Sequence, residues 1–151
     1  MNPLSQAPGP VITIEGIVID VIVHREPHAP PEEGVPEFLE HGAMIDTGAS
    51  DTCIDYRIAH ALKLRQIDQR TIGTVGGPIQ VAVFLGVLEI PQLGFKRLDR
   101  FFAPKIERIN YSVLIGRSVL KEFLFTYDGP ANVCHFARPQ GPPDHHDDFA
   151  S

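Results

Sequence analysis

The most informative segment of the chain is Gly42-Ala43-Met44-Ile45-Asp46-Thr47-Gly48-Ala49. Its apolar residues read as a buried strand, and a carboxylate followed by Thr and Gly comes directly after that strand. The glycine lets the turn approach a neighbouring backbone closely, because it carries no Cβ. The sequence contains Asp-Thr-Gly once and no Asp-Ser-Gly, and Asp128-Gly129 precedes a proline and reads as an ordinary turn. Taken alone, Asp46 reads more easily as a turn or capping carboxylate than as a catalytic one.

Length and composition indicate a single globular domain. The chain has 151 residues, 43% of them hydrophobic, which is enough for one core but not for two stacked lobes. A net charge of -6 without any Lys/Arg cluster gives no reason to expect a nucleic-acid surface. The opening MNPLSQAPGP lacks the features of a signal peptide, and no apolar run approaches the ~18 residues of a membrane span. We therefore expect a cytoplasmic protein with no membrane partner.

Neither the cysteines nor the histidines form a convincing reactive or metal-binding pattern. Cys53 and Cys134 are too few for a disulfide scaffold and lie among apolar residues, so we expect buried thiols. Cys53 with His60 or His135 suggests a cysteine hydrolase, but nothing nearby would stabilise a thiolate. The segment 145–148, His-His-Asp-Asp, could bind a divalent metal but lies in a Pro-rich tail. We expect no metal and no cofactor.

Strand and hairpin patterns surround the Asp46 segment. Residues 11–23 are β-branched almost throughout and predict one long strand, or two strands with a bend at Gly16. Residues 24–41 are rich in Pro and Glu and predict a long surface loop that is functional or mobile. In residues 71–83, two extended arms flank a glycine-rich tip, which is typical of a β-hairpin.

The remaining pattern adds short strands and two small helices. Asp55 is a candidate N-cap for a helix over 56–64, and residues 118–123 predict a second short helix. Further strands are predicted at 87–90, 100–103 and 112–115, followed by a closing hairpin over 124–136. Together they predict a mostly β, barrel-like domain spanning 11–137, with a flexible N-terminus (1–10) and a disordered tail (138–151).

Three separated segments resemble one family in order and spacing. Residues 44–52 resemble the active-site loop of the retroviral-type aspartic proteases, or retropepsins. Residues 72–79 resemble their flap, a glycine-tipped hairpin that folds over the substrate, and 113–117 resemble their second hallmark, two apolar residues followed by Gly and a polar residue. The resemblance implies a retropepsin-like closed barrel, the half-lobe of an acid protease, that works as a homodimer. The helix after Ile54 is more similar to cellular and bacterial members than to viral ones.

The resemblance implies an aspartic endopeptidase that activates water between two Asp46 carboxylates, one from each protomer. The expected partners are therefore a second copy of the chain and a polypeptide substrate. Thr47 would hydrogen-bond across the two-fold axis, and Gly48 would allow close backbone approach. Ala49 offers no hydroxyl to the outer oxygen of Asp46, so we expect activity at mildly acidic to near-neutral pH.

The resemblance also implies a set of substrate-binding residues, namely Ala49, Asp51, Val75, Gly76, Gly77, Ile79 and Ile115, with Val83 as a further subsite wall. Asp51 reads equally well as a surface acid, and the 75–77 segment as an ordinary hairpin tip. Arg117 is expected to form a structural salt bridge at the dimer interface. Two functional alternatives stay open: a non-proteolytic dimerisation or peptide-binding module, and a domain that cleaves only a partner or itself during maturation.

Overall fold

The computed structural model describes residues 9–139 of the chain. In order along the chain, its elements are β1 (Ile12–Glu15), β2 (Val18–His24), β3 (Phe38–Ile45), β4 (Cys53–Ile54), α1 (Tyr56–Ala61), β5 (Arg65–Ile72), β6 (Ile79–Ile90), a 3-10 turn (Pro91–Leu93), β7 (Phe95–Ala103), β8 (Val113–Ile115), α2 (Arg117–Leu120), β9 (Leu124–Asp128) and β10 (Val133–Ala137). The predicted mostly β class with two short helices is confirmed.

Six strands close into a barrel. Strand β2 pairs with β3, β3 with β8, β8 with β4, β4 with β7 and β7 with β6. A second edge of β6 pairs antiparallel with β2, which completes the ring. Strand β5 pairs with the part of β6 beyond this closure and forms a long hairpin with it. The predicted barrel and hairpin are both confirmed.

The barrel interior is filled by alternating side chains. Strand β2 buries every second residue, and its buried positions Val21 and Val23 are fully shielded from solvent. Phe101 and Leu88 face them from β7 and β6 within the same cluster. Burying each such side chain contributes about 1.5–3 kcal/mol, so the barrel has enough core to hold its loops firmly.

A separate three-stranded sheet packs against the core of the barrel. Its order is β1-β10-β9, and Cys134 and Phe136 of β10 pack on the core. Gly16 adopts a positive φ of 71° between β1 and β2, so the two-strand alternative for residues 11–23 is the observed one. The predicted closing hairpin is confirmed as β9 and β10.

The Pro/Glu-rich loop is shorter than predicted and well anchored. His24 ends β2 and Phe38 begins β3, so the loop comprises residues 25–37. Arg25 is buried, and its guanidinium donates to the carbonyl oxygens of Leu62 and Pro30 at 3.1 and 2.8 Å. The loop therefore lies against the start of β5, at the opposite end of the β5–β6 hairpin from its glycine-rich tip.

Several element boundaries differ from the predicted ones. The strands predicted at 87–90 and 100–103 are the ends of the longer strands β6 and β7. Asp55 is the N-cap of α1, as predicted, and accepts a hydrogen bond from the Arg57 backbone N–H. The helix ends at Ala61 because Lys63 takes a positive φ of 48°. The second helix spans only Arg117–Leu120.

Some predictions fall on residues outside the described range. These are most of the flexible N-terminus (1–8), most of the disordered tail (140–151) and the 145–148 His/Asp segment. Between residues 9 and 139, no group of three or more His, Cys, Asp or Glu side chains is placed to hold a metal ion. No helix in this part of the chain is long and apolar enough to cross a membrane.

Candidate active site

Asp46 lies at the first position after strand β3, where the barrel opens. Its backbone N–H donates to the Ile115 carbonyl oxygen at 2.9 Å, so the end of β3 stays attached to β8. The side chain is half-buried, and Oδ1 accepts a hydrogen bond from the Gly48 N–H at 2.9 Å. Thr47 and Gly48 are exposed. The turn thus presents one carboxylate at its outer side.

Residues 46–51, here called the catalytic loop after the role expected from the sequence, are held by Gly116 and the first turn of α2. The N–H of Arg117 donates to the Ala49 carbonyl oxygen at 2.8 Å, and that of Ser118 donates to the Ser50 carbonyl oxygen at 3.0 Å. A Cβ on Gly116 would lie 2.9 Å from the Ala49 oxygen and closer still to that of Asp51. This close approach is what requires glycine at position 116. The backbone conformation does not require it, because a φ of -95° is accessible to any residue.

The Arg117 side chain adds a third contact to the same loop. Its Nη1 donates to the Thr47 carbonyl oxygen at 2.8 Å. The contact lies beside Asp46 and is made within one chain. The predicted salt bridge of Arg117 across a dimer interface stays a prediction.

The glycine-rich tip of the β5–β6 hairpin, residues 73–78, is here called the flap tip after the feature that the sequence predicts. Thr74 and Gly77 exchange backbone hydrogen bonds of 3.2 and 3.0 Å, and Gly77 adopts a positive φ of 106°. Val75 at the tip is fully exposed, and Ile79, directly after the tip, is 43% exposed. Gly76 is exposed as well. The tip therefore offers apolar surface that has no packing partner among residues 9–139.

Two of the residues expected to line a substrate cleft point into the protein instead. Ile115 is 1% exposed and Val83 0%, so neither side chain presents a surface to a ligand. Ile115 contributes through its backbone, as the acceptor for Asp46. The prediction placed these two residues on the wrong face of their strands.

The same alternation brings together four side chains that sequence reasoning did not select. Met44 lies two residues before Asp46 and so shares its face of β3. Met44 pairs with Leu114, Leu114 with Cys53, and Cys53 with Phe102, which places these four half-buried side chains in one row. The alternation of side chains along a strand could have identified Met44 from the sequence. Leu114, Cys53 and Phe102 could be identified only from the pairing of the strands.

Asp51 and Cys53 extend the site beyond Asp46. Asp51 Oδ2 accepts a hydrogen bond from the Ser50 hydroxyl at 3.1 Å. Burial, together with the negative charges of Asp51 and Asp46, raises the pKa of the Cys53 thiol to about 11. Cys53 is therefore a neutral thiol at physiological pH, which agrees with the expectation that it is not a nucleophile.

Ala49 leaves the outer side of the Asp46 carboxylate open. Its N–H donates to the Asp46 carbonyl oxygen at 3.2 Å, and its methyl group cannot donate a hydrogen bond to the carboxylate. Within the described residues, the Gly48 N–H is the hydrogen-bond donor to that carboxylate.

Comparison with known proteins identifies a family. A model of the aspartyl protease family matches residues 39–119, more than half of the chain. A retropepsin-like aspartic protease from Rickettsia conorii is similar in structure, with a TM-score of 0.54 and 19% identity over 93% of this chain and 100% of that one. A search of curated proteins finds no match to the sequence.

Two further solved structures are more distant. The simian foamy virus (mac) protease has 19% identity and a TM-score of 0.46, covering 69% of this chain and 91% of its own. A Legionella pneumophila protein of unknown function has 17% identity and a TM-score of 0.41, covering 71% and 85%. The family match spans the catalytic loop, the flap tip and Gly116-Arg117, and the Rickettsia structure shares the fold around them. The chain belongs to the aspartyl protease family and has its retropepsin-like fold.

Proposed function

We propose that the protein is an aspartic endopeptidase whose single active site forms between two copies of the chain. The observation that carries the proposal is the catalytic loop. Its inner side is held by residues 115–118, while its outer side presents Thr47, Gly48 and one carboxylate. One such loop supplies half of a carboxylate pair, and a two-fold axis beside it would bring in the other half.

The chemistry follows from placing two carboxylates side by side. Carboxylates about 3 Å apart cannot both ionise, so the pair shares one proton. The ionised partner accepts a proton from a water molecule held between them, and the oxygen of that water attacks the scissile carbonyl carbon. The protonated partner donates to the carbonyl oxygen, and a proton then passes to the leaving nitrogen, so the peptide bond breaks without a covalent enzyme intermediate.

The substrate would bind as an extended strand between the catalytic loop and the flap tip. Backbone groups of an extended peptide can pair with strands at the tip, which gives affinity without sequence preference. The row formed by Met44, Leu114, Cys53 and Phe102 is apolar and reaches the Asp46 side of the barrel. We therefore expect apolar side chains on either side of the cleaved bond.

The test is cleavage of an unfolded polypeptide by the purified full chain, with and without a pepstatin-like inhibitor. Asp46→Asn should keep the fold and lose cleavage, because an amide cannot accept the proton from water. Asp128→Asn is the matched control, because Asp128 also stands where a strand passes into a glycine-containing turn and its Oδ1 also accepts a backbone hydrogen bond, from the Ala131 N–H, but it ends β9. That variant should cleave at the wild-type rate.

Three outcomes discriminate among the functions. Inhibitor-sensitive cleavage that disappears only in Asp46→Asn supports the endopeptidase. Cleavage that persists in Asp46→Asn contradicts it. Binding of the polypeptide without cleavage at any protein concentration would favour the peptide-binding module instead.

A further inference from the structure

The second helix, α2, carries the contacts that hold the catalytic loop, yet it is too short to be stable alone. It spans four residues, and a helix of that length has no independent stability in water. Val119 and Leu120 bury its apolar side in the core. The position of the catalytic loop therefore depends on the contacts that hold the polar side of α2.

Ser118 is the point at which the polar side of α2 is held. The backbone hydrogen bonds at the end of α2 do not use the Ser118 carbonyl oxygen, because the Lys121 N–H donates to the Arg117 oxygen and the Glu122 N–H donates to the Val119 oxygen. The Ser118 oxygen instead accepts from Nη2 of Arg97, on strand β7, at 3.1 Å. A backbone acceptor at a helix end needs such a partner.

Arg97 is itself held in place by two carboxylates and an aromatic ring. Its Nη2 lies 3.5 Å from Asp99 Oδ2, and its Nη1 lies 3.9 Å from Glu122 Oε2. The guanidinium also stands over the Phe95 ring, 5.1 Å from the centroid. Burial raises the pKa of the Asp99 carboxyl, and the cation of Arg97 opposes that shift. These contacts restrict the guanidinium to one orientation.

We propose that Arg97 is a positioning residue for the catalytic loop. It fixes Ser118 through the carbonyl oxygen, while the Ser118 N–H holds Ser50 and the neighbouring Arg117 holds Thr47 and Ala49. The inference rests on the proposed endopeptidase function for its kinetic consequence. Its structural consequence, the order of the loop, stands apart from activity.

Arg138 provides a matched control for Arg97. Its Nη2 also donates to a backbone carbonyl oxygen at 3.2 Å, but the acceptor is Gly94, in the turn before β7. Its guanidinium stands over the same Phe95 ring at 5.9 Å and over Phe123 at 5.2 Å. Replacing either arginine with methionine removes a similar set of contacts, but only Arg97 contacts α2.

The first measurement is the kinetics of Arg97→Met, Arg138→Met and the wild type, well below their unfolding temperatures. Misplacing catalytic groups by about 1 Å costs up to ~100-fold in rate, so we expect kcat of Arg97→Met to fall about tenfold with KM changed less than twofold. Arg138→Met should keep the wild-type kcat. Equal losses in both variants, or an unchanged kcat in Arg97→Met, would overturn the inference.

Arg97→Lys covers the case in which Arg97→Met fails to fold. The ammonium keeps a positive charge beside Asp99 and Glu122, but it cannot reproduce the planar fork of a guanidinium. We expect an intermediate kcat, about threefold below wild type. A wild-type kcat in this variant would show that the fork is not needed.

The second measurement does not require activity. Amide hydrogen exchange of Arg117 and Ser118 reports the two bonds to Ala49 and Ser50 directly. We expect exchange to accelerate about tenfold or more in Arg97→Met and to stay unchanged in Arg138→Met. If the wild type cleaves nothing, accelerated exchange still supports the positioning role while the endopeptidase proposal fails. Unchanged exchange in Arg97→Met overturns the role itself.

Discussion

The catalytic loop and the flap tip are both glycine-containing turns, but the protein holds them in different ways. The backbone of the catalytic loop bonds to Ile115, Arg117 and Ser118, which lie some seventy residues later in the chain. Within the described part of the chain, the flap tip forms hydrogen bonds only within itself, between Thr74 and Gly77, and it leaves Val75 fully exposed. The comparison teaches that the barrel fixes the carboxylate in place and leaves the tip without such anchors, which the proposed closure over a substrate would require.

The largest effect is expected from adding a single methyl group at Gly116. In Gly116→Ala, the new Cβ would collide with the Ala49 and Asp51 carbonyl oxygens, so the catalytic loop must move. Overpacking of this kind costs about 1–3 kcal/mol, and we expect kcat/KM to fall at least ~100-fold. Denaturant unfolding and cleavage assays measure the two effects.

Gly73→Ala is the control on the flap side. A Cβ there meets nothing within 4 Å, and the residue has no positive φ. Unfolding free energy should change by less than about 0.5 kcal/mol. If both alanine variants behaved alike, the contrast between the two turns would be wrong.

The second effect concerns Asp55, which anchors the chain just beyond the catalytic loop. Its carboxylate is buried and accepts hydrogen bonds from the backbone N–H groups of Arg57 and Ile106. The side-chain hydrogen bond from Arg57 lowers the pKa of Asp55 from 3.8 to about 2. Because the folded-state pKa is depressed, this stabilisation is present above pH 3.8 and is lost as the pH falls towards 2.

Asp55→Asn should therefore reduce the free energy of unfolding at pH 6 by about 2 kcal/mol. The difference from wild type should shrink in acid, and at pH 2 it should be much smaller. Urea denaturation at both pH values measures it. A difference that grows as the pH falls would contradict the assigned sign.

A smaller effect is expected at the flap tip itself. Gly77 has a positive φ of 106°, so Gly77→Ala strains the turn even though there is open space around it. The strain costs about 1–3 kcal/mol at the tip, but the tip bonds only to itself, so the barrel should unfold at nearly the wild-type denaturant concentration. KM should rise several-fold with kcat less affected.

Gly76→Ala serves as the comparison for that variant, because Gly76 has no positive φ and its nearest neighbour is 3.9 Å away. Its KM should stay near wild type. Equal effects at 76 and 77 would mean that the backbone conformation of the tip is unimportant for binding.

The smallest effect is a shift in pH dependence. Ala49→Ser would add a hydroxyl donor beside the carboxylate, which favours its ionised form. The acid limb of the pH–rate profile should move to lower pH by about half a unit to one unit. The wild type should work best at mildly acidic to near-neutral pH, and a wild-type optimum below pH 3 would contradict this interpretation.

The sequence predicted the features that depend on neighbouring residues. The Asp46 turn, the glycine-tipped hairpin and the Asp55 N-cap all follow from residue types within a few positions of one another. The bend at Gly16 follows in the same way, because a positive φ favours glycine.

Features set by strand pairing escaped prediction. Ile115 was predicted to bind substrate, but it pairs with Ile45 and its side chain is buried, whereas the neighbouring Leu114 is half-buried on the opposite face. The sequence predicted only the apolar end of strand β7. Arg97 and Asp99 place polar residues at two of its inward-facing positions, so the alternation of apolar residues is interrupted there. Arg97 contacts α2 and Asp99 pairs with Arg97, so the break in the pattern has a structural cause.

The central claim is that one active site needs an Asp46 from each of two chains. Mixing wild type with Asp46→Asn at equal amounts and fixed total concentration, after exchange of subunits, tests it most directly. Random pairing makes about one quarter of the dimers fully wild type. We therefore predict about one quarter of the activity that wild type alone shows at the same total protein concentration. An activity of about one half would mean that each chain works alone and would contradict the account.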